Sequence, residues 1–148
     1  MGKLSYLHPD IALASFLNGK ITVHTSARSS HVINIYGEGE KPNKGIGDEF
    51  VEITWNGSAS RTAQSLYKGY LMLSVYVRTQ TDGRAKKKII NQILSQLGSF
   101  EKGVQCVGYY FALDATSVIT PTTVNLTTGF STTVLNVSWH ITDDFIND

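Results

Sequence analysis

Three consecutive lysines, Lys86–Lys88, have the clearest capacity for binding chemistry in this sequence. They lie at the start of a predicted helix, where positive charge opposes the positive end of the helix dipole. Because that placement costs free energy, it points to an anionic partner, either nucleic-acid phosphates or an acidic protein surface. A solvated helix face is the third explanation, since charge runs are usually solvent-exposed. The candidate partner contacts are therefore Arg78, Arg84, Lys86, Lys87 and Lys88.

A glycine-rich segment, residues 37–48, is the second candidate for chemistry. It contains four glycines and one proline. A phosphate-binding loop needs the spacing Gly-x-x-x-x-Gly-Lys-Ser/Thr between a strand and a helix. Here Asp48 and Glu49 follow Gly47, where their charge would repel phosphate, and a strand comes next. The segment is therefore predicted to be a mobile surface loop, with no nucleotide bound.

Histidines, the single cysteine and paired carboxylates show no catalytic or metal-binding spacing. The four histidines, His8, His24, His31 and His140, match no zinc motif. Cys106 forms no intrachain disulfide, and its apolar strand predicts a buried, inert thiol. Asp143 and Asp144 are adjacent, which favours a solvated tail. We therefore predict no catalytic, cofactor or metal site and no enzyme activity; a site assembled from scattered His and Asp residues is an alternative.

The charge is low in total and uneven along the chain. Charged residues are 17% of 148 residues, below the roughly 25% of typical soluble domains, whereas serine and threonine number 14 and 15. Residues 61–102 carry a net charge of +6 and residues 103–148 carry −4. This separation favours head-to-tail contact between copies. No apolar run reaches the length of a membrane span, so no membrane partner is expected.

Periodicity predicts the main elements of a single domain covering residues 1–148. A short helix opens at His8-Pro9-Asp10, with Ile11, Ala14 and Leu17 at helical spacing. Tyr70–Thr79 alternates like a central strand, and Arg84–Leu97 has the apolar stripe of an amphipathic helix, with Asp82 as its candidate N-cap. Further strand regions are predicted at 32–36, Phe50–Trp55 and 103–112. Thr132–Ile141 is the last predicted strand. The order predicts an α+β fold in which a mostly antiparallel sheet carries two helices packed on one face.

This order of elements resembles the tail terminator, or minor tail protein U type, of long-tailed bacteriophages. The matching segments are Ile11–Leu17, Tyr70–Thr79 with Gln80–Arg84, Ala85–Leu97 and Gly129–Thr142. Leu71-Met72-Leu73-Ser74-Val75-Tyr76-Val77-Arg78 before a lysine-rich helix looks like the family's strand-to-helix unit. The segments Gly129-Phe130-Ser131-Thr132-Thr133 and Val137-Ser138-Trp139-His140-Ile141 look like its closing strand.

The resemblance implies a structural virion protein without enzyme activity or cofactor. Such proteins form a hexameric ring that stops tail-tube polymerisation and joins the tail to the head. The expected partners are further copies of the chain, the tail tube protein and a head-completion or neck protein. No sequence-specific nucleic acid is expected. The expected location is the virion tail, after assembly in the host cytoplasm. Another neck or tail-completion protein is one alternative, and a small nucleic-acid-binding module is another.

Overall fold

The computed structural model describes residues 7–26, 28–61, 66–82, 84–100, 102–113, 122–125 and 129–142. The helices and strands within these residues are α1 (Pro9–Leu17), β1 (Thr22–Ser26), β2 (Ser29–Val32), β3 (Asn34–Tyr36), β4 (Glu49–Trp55), β5 (Ser60–Arg61), β6 (Leu66–Arg78), α2 (Lys87–Leu97), a 3-10 turn (Gly98–Phe100), β7 (Val104–Cys106), β8 (Tyr109–Leu113), β9 (Thr122–Asn125) and β10 (Phe130–Thr142). Neither α-helix described is long and apolar enough to cross a membrane.

Two 13-residue strands, β6 and β10, form the centre of the main sheet. They pair antiparallel over their whole length, from Phe130 opposite Arg78 to Thr142 opposite Leu66. The strand order is β3-β4-β6-β10-β8-β7, with β5 paired to β6 and β9 paired to β10. The β3–β4 pair is parallel and the other pairs of this sheet are antiparallel. β1 and β2 form a separate hairpin. The fold is therefore the α+β class predicted from the order of elements.

The main sheet curls around helix α1. This helix contacts β3 and β4 near one edge of the sheet and β7 and β8 near the other. On one side the buried Asp10 carboxylate accepts a 2.9 Å hydrogen bond from the Glu38 N–H. On the other side the Cys106 thiol lies 3.5 Å from the Ala12 carbonyl oxygen, which accepts its hydrogen. Helix α1 thus joins the two edges of the sheet.

The core lies on the face of the sheet that both helices cover. Helix α2 buries Ile89, Ile90, Ile93 and Leu97, and each of the long strands buries alternate residues. Trp139 of β10 is the largest fully buried side chain, and it lies opposite Gly69 of β6. A Cβ atom at Gly69 would lie 2.8 Å from Cζ2 of the Trp139 ring. Glycine therefore leaves the space that the indole occupies.

The predictions for α1, β4 and the long strands are confirmed, with two differences in burial. Ile11, expected on the apolar stripe of α1 with Ala14 and Leu17, is 41% exposed, whereas Ala14, Leu17 and the neighbouring Leu13 are buried. Cys106, expected to be buried, is partly exposed on the edge strand β7. Helices and edge strands at a surface leave such apolar residues in contact with water.

Helix α2 begins three residues later than predicted. Its first residue is Lys87, and Lys86 precedes it without a side-chain cap. Asp82, expected to cap the helix, closes a turn instead. It accepts hydrogen bonds from the Arg84 N–H at 3.1 Å and from Arg84 Nε at 2.7 Å. The short aspartate side chain bonds to the backbone two residues on, which competes with capping a later helix.

Two segments predicted as strand regions are each divided between two elements. Residues 32–36 belong to two strands, because Ile33 closes the base of the β1–β2 hairpin through a 3.0 Å bond to the Ile21 carbonyl. Residues 103–112 fold into the β7–β8 hairpin, whose turn is Val107-Gly108. Both turn residues have positive φ, 50° and 86°. That combination is typical of the tight turns that match strand twist.

Candidate interaction surface

The two arginines among the candidate contacts are already engaged within the chain. Arg78 ends β6, where its Nε lies 2.8 Å from the Asp48 carboxylate and its guanidinium covers the Phe130 ring at 4.5 Å. Arg84 contacts Asp82 at 2.6 Å, and its hydrogen bond to that carboxyl lowers the pKa of Asp82. Both arginines are exposed, but each has its charge balanced by a neighbouring carboxylate.

The three lysines differ from the arginines in this respect. Lys87 and Lys88 are exposed in the first turn of α2, and Lys86 is half-buried before it. Within the described part of the chain, none of the ion pairs includes any of them. The structure therefore places an uncompensated positive charge at the start of α2.

Helix α2 also holds the β1–β2 hairpin through two glutamines that take the place of a neighbouring strand. Gln92 accepts from the His24 N–H at 2.7 Å and donates to the His24 carbonyl at 3.0 Å. Gln96 does the same with Thr22, at 2.9 Å and 2.7 Å. Four helical residues rise about 6.0 Å and two strand residues about 6.6 Å, so the two spacings match. One edge of β1 is thereby satisfied by side-chain amides.

Replacing both glutamines, Gln92→Ala with Gln96→Ala, is expected to lower the free energy of unfolding by about 1–2 kcal/mol, since four partly solvated hydrogen bonds are lost. Hydrogen exchange at the Thr22 and His24 amides should accelerate in the same variant. The exposed Asn91, on another face of α2, provides the control Asn91→Ala, which should leave both amides protected. Unchanged exchange in the double variant would contradict the role of the glutamines.

Two acidic residues near the start of β4 are paired within the chain. Asp48 lies beside Arg78, and the buried Glu49 lies 2.8 Å from His31 Nε2. The four acidic residues of the segment 103–148 lie outside the described residues. The head-to-tail contact expected from the charge separation therefore stays a prediction.

The 37–48 loop has no helix or strand and contacts the outer face of the sheet. Lys41 Nζ lies 5.5 Å from the centre of the Phe50 ring and 5.7 Å from that of Tyr76. These rings stack at 4.7 Å, and Phe130 packs edge-on against Phe50. Burial raises the pKa of Tyr76, with a further contribution from the Glu52 charge. The loop thus covers an aromatic cluster opposite the main core; its mobility stays a prediction.

The histidines and Cys106 are dispersed. His140 stacks on Tyr110 at 4.9 Å, His31 pairs with Glu49, and His24 lies on the hairpin. In the described ranges no group of three or more His, Cys, Asp or Glu residues could hold a metal ion. A cavity of about 230 Å³ lies between α1 and the loop, with Ile11, Ser15 and Glu40 among its lining residues. It contains no nucleophile paired with a base that could support catalysis.

The sequence predicted the lysines but not the hairpin beside them. The hairpin segment is rich in serine and histidine, and its strands are short and exposed, so periodicity gave little signal. The available signal was the pair of glutamines four residues apart on α2, since side chains at that spacing share one face.

Comparison with known proteins does not assign the chain to a family. No protein-family model matches it, and no curated protein matches it. Two solved chains match. One of these, whose name states no function, is 12% identical with a TM-score of 0.47, and the match covers 72% of this chain and 77% of that chain. Similarity of that degree carries no argument about function.

Proposed function

We propose that the chain is a structural virion protein of the tail terminator type, which forms a ring at the end of a phage tail tube. The observation that carries this proposal is the order and length of its elements. A short helix, a long irregular loop, a 13-residue strand, a charged turn, a helix and a closing 13-residue strand occur in this order, with shorter strands between them, and the resemblance rests on that order. Because one fold can serve many functions, the proposal depends on whether copies of the chain assemble into a ring.

A ring requires heterologous contacts, in which one surface of a copy meets a different surface of the next. The middle of the outer face of the long strands, between Lys68 and Arg78 of β6, offers an area of uncharged side chains for such contact. It includes Tyr70, which is 56% exposed, with the half-buried Met72 and Val134 near it. Exposed aromatic side chains and methionine are enriched where proteins associate. This face supports the proposal because neither described helix covers it.

The mass of the purified chain in solution, alone and with tail tube subunits, tests the proposal. We expect a ring of about six copies, about 98 kDa for chains of 16.3 kDa, either free or formed on the tube. Electron microscopy should then show tubes that stop growing where the ring is bound. A chain that stays monomeric and leaves tube growth unchanged would overturn the proposal. Rings that bind the tube without stopping its growth would instead indicate a different neck or tail-completion protein.

A further inference from the structure

The hairpin and the start of α2 together form one cationic surface, defined by Arg28, Lys86, Lys87 and Lys88. We infer that this surface binds the phosphate backbone of a nucleic-acid duplex without sequence preference. The inference goes beyond the proposed function and does not depend on it. It combines two elements that lie far apart in the sequence and that the glutamines of α2 hold side by side.

The position of the lysines relative to the hairpin follows from the face of α2 that contains Gln92 and Gln96. Lys88 precedes Gln92 by four residues, so the same helix face continues toward the hairpin tip. Gln96 bonds to Thr22 and Gln92 bonds to His24, so the direction from Gln96 to Gln92 along α2 is also the direction from the hairpin base toward its tip. The β1–β2 register shifts between His24 and Ser26, and the Arg28 N–H donates to Ser26 Oγ at 3.3 Å, so Arg28 lies at this tip. The lysine end of α2 and the tip of the hairpin therefore lie at the same end of the contact between the two elements.

No acidic side chain offsets this charge from within either element. Residues 11–37 and 83–100 contain no Asp or Glu. Two carboxylates close in the chain or on a neighbouring strand are already engaged: Glu49 is buried against His31, and Asp82 is paired with Arg84. The surface therefore carries about four positive charges in a chain of net charge +1. Such a local excess attracts an anionic partner.

A second copy of the chain is a poor match for that charge. Among the described residues, Asp48 and Asp82 face arginines and Asp10 is buried. Glu38 and Glu40 share their loop with Lys41 and Lys44. Glu52 is half-buried near Tyr76. Because most of the described carboxylates are buried or accompanied by cations, the partner of the cationic surface is expected to come from outside the chain.

The side chains around the charges distinguish nucleic acid from an acidic protein. Thr25, Ser26, Ser29 and Ser30 place hydroxyl groups on the hairpin, and hydroxyls and backbone N–H groups are common donors to phosphate. Protein interfaces instead centre on aromatic and large apolar residues. On β1 and β2 the exposed large apolar residue is Val32, at the hairpin base. Without exposed aromatic rings the surface cannot stack on bases, which favours a duplex backbone.

Binding of the full chain to a fluorescent duplex of arbitrary sequence, across a range of salt concentrations, tests the inference. Four contacts predict a slope of log K against log salt of about −3 to −4, and a Kd between about 1 and 100 μM near physiological salt. A second duplex of unrelated sequence should bind equally. Lys87→Glu with Lys88→Glu should weaken binding at least about tenfold and make the slope less steep by about two. Absence of salt-dependent binding would overturn the inference.

The matched control is Lys44→Glu with Lys68→Glu. It lowers the net charge by the same amount, at two exposed lysines outside the cationic surface. It should weaken binding less than about threefold, because the remaining long-range effect is screened. Glutamate in the first turn of a helix favours the dipole, so the test variant is expected to fold, as thermal unfolding will verify. Equal losses in both variants would show that only net charge matters and would reject the surface.

Two further measurements distinguish a duplex from the other candidate partners of the cationic surface, which are an acidic protein and a second copy of the chain. Poly-L-glutamate binding that the test variant abolishes, without duplex binding, would identify an acidic protein partner and overturn the inference. Sedimentation of the same variant reports on contact between copies. If the variant loses ring assembly and the wild-type chain does not bind duplex, the surface joins copies and the inference fails while the proposed function stands. If duplex binding holds but no ring forms, the proposed function fails alone.

Discussion

Trp139→Ala is expected to lower the free energy of unfolding by about 3–5 kcal/mol, which for a domain of this size is a large share of the total. The indole is 1% exposed and lies on β10, which is paired with β6 on one side and β8 on the other. It packs edge-on against Trp55 and Tyr109, each at 5.8 Å. Because paired strands on both sides hold the backbone, the site cannot collapse to fill the cavity.

Urea unfolding followed by circular dichroism measures this effect. Trp139→Phe serves as the graded variant and should cost about 1–2 kcal/mol, since most of the ring volume is kept. It also removes an indole N–H for which no described residue provides an acceptor, so its loss carries no hydrogen-bond penalty. Trp55→Ala, at a half-buried position, should cost less than Trp139→Ala. Equal costs at the two tryptophans would contradict the placement of Trp139 at the centre of the core.

The sequence predicted this core because alternation is strong in the long strands. Leu135, Val137, Trp139 and Ile141 alternate with more polar residues, as do the inward residues of β6. A strand with a period of two has one buried face whatever its partners are. Helix α2 was equally clear, since its apolar residues follow the helical period. The local pattern of apolar residues was sufficient to predict these strands and this helix, because each buries one face.

The hairpin and the sheet edges could not be predicted in the same way. In β2 all four residues are exposed, so no apolar period marks it as a strand. Its neighbour β1 depends on Gln92 and Gln96, about 70 residues later in the chain. The cationic surface therefore arises from tertiary contact, and the sequence indicated only the lysine run, which supplies three of its four residues. Non-local contacts of this kind leave no local signal.

The pairing of charges could not be predicted from the sequence either. The sequence shows where charges lie along the chain but not which of them meet, because antiparallel pairing brings distant residues together. Asp48 meets Arg78 because β4 pairs with β6. Ion pairs of exposed side chains contribute little to stability, but they determine which charges are available to a partner. Within the described residues, Lys86–Lys88 and Arg28 take part in none of these ion pairs.

Gly103→Ala is expected to lower the free energy of unfolding by about 2–4 kcal/mol. Gly103 has a φ of 101°, in the region that favours glycine. A Cβ atom there would also overlap the hydroxyl and Cζ of Tyr110. That hydroxyl donates a 3.0 Å hydrogen bond to the Lys102 carbonyl, and the ring stacks on His140. The substitution therefore adds backbone strain and displaces a ring that holds the start of β7 against β8.

A double-mutant cycle with Tyr110→Ala separates the two contributions. In the Tyr110→Ala background the overlap is gone, so Gly103→Ala should cost only the backbone strain of about 1–2 kcal/mol. Gly45→Ala is the matched control, because Gly45 has a φ of 77° and nothing within 4 Å of an added Cβ. Its cost should equal that of Gly103→Ala in the Tyr110→Ala background. If Gly103→Ala costs the same with and without the tyrosine ring, strain alone explains the glycine, and the packing of Tyr110 over this turn contributes nothing.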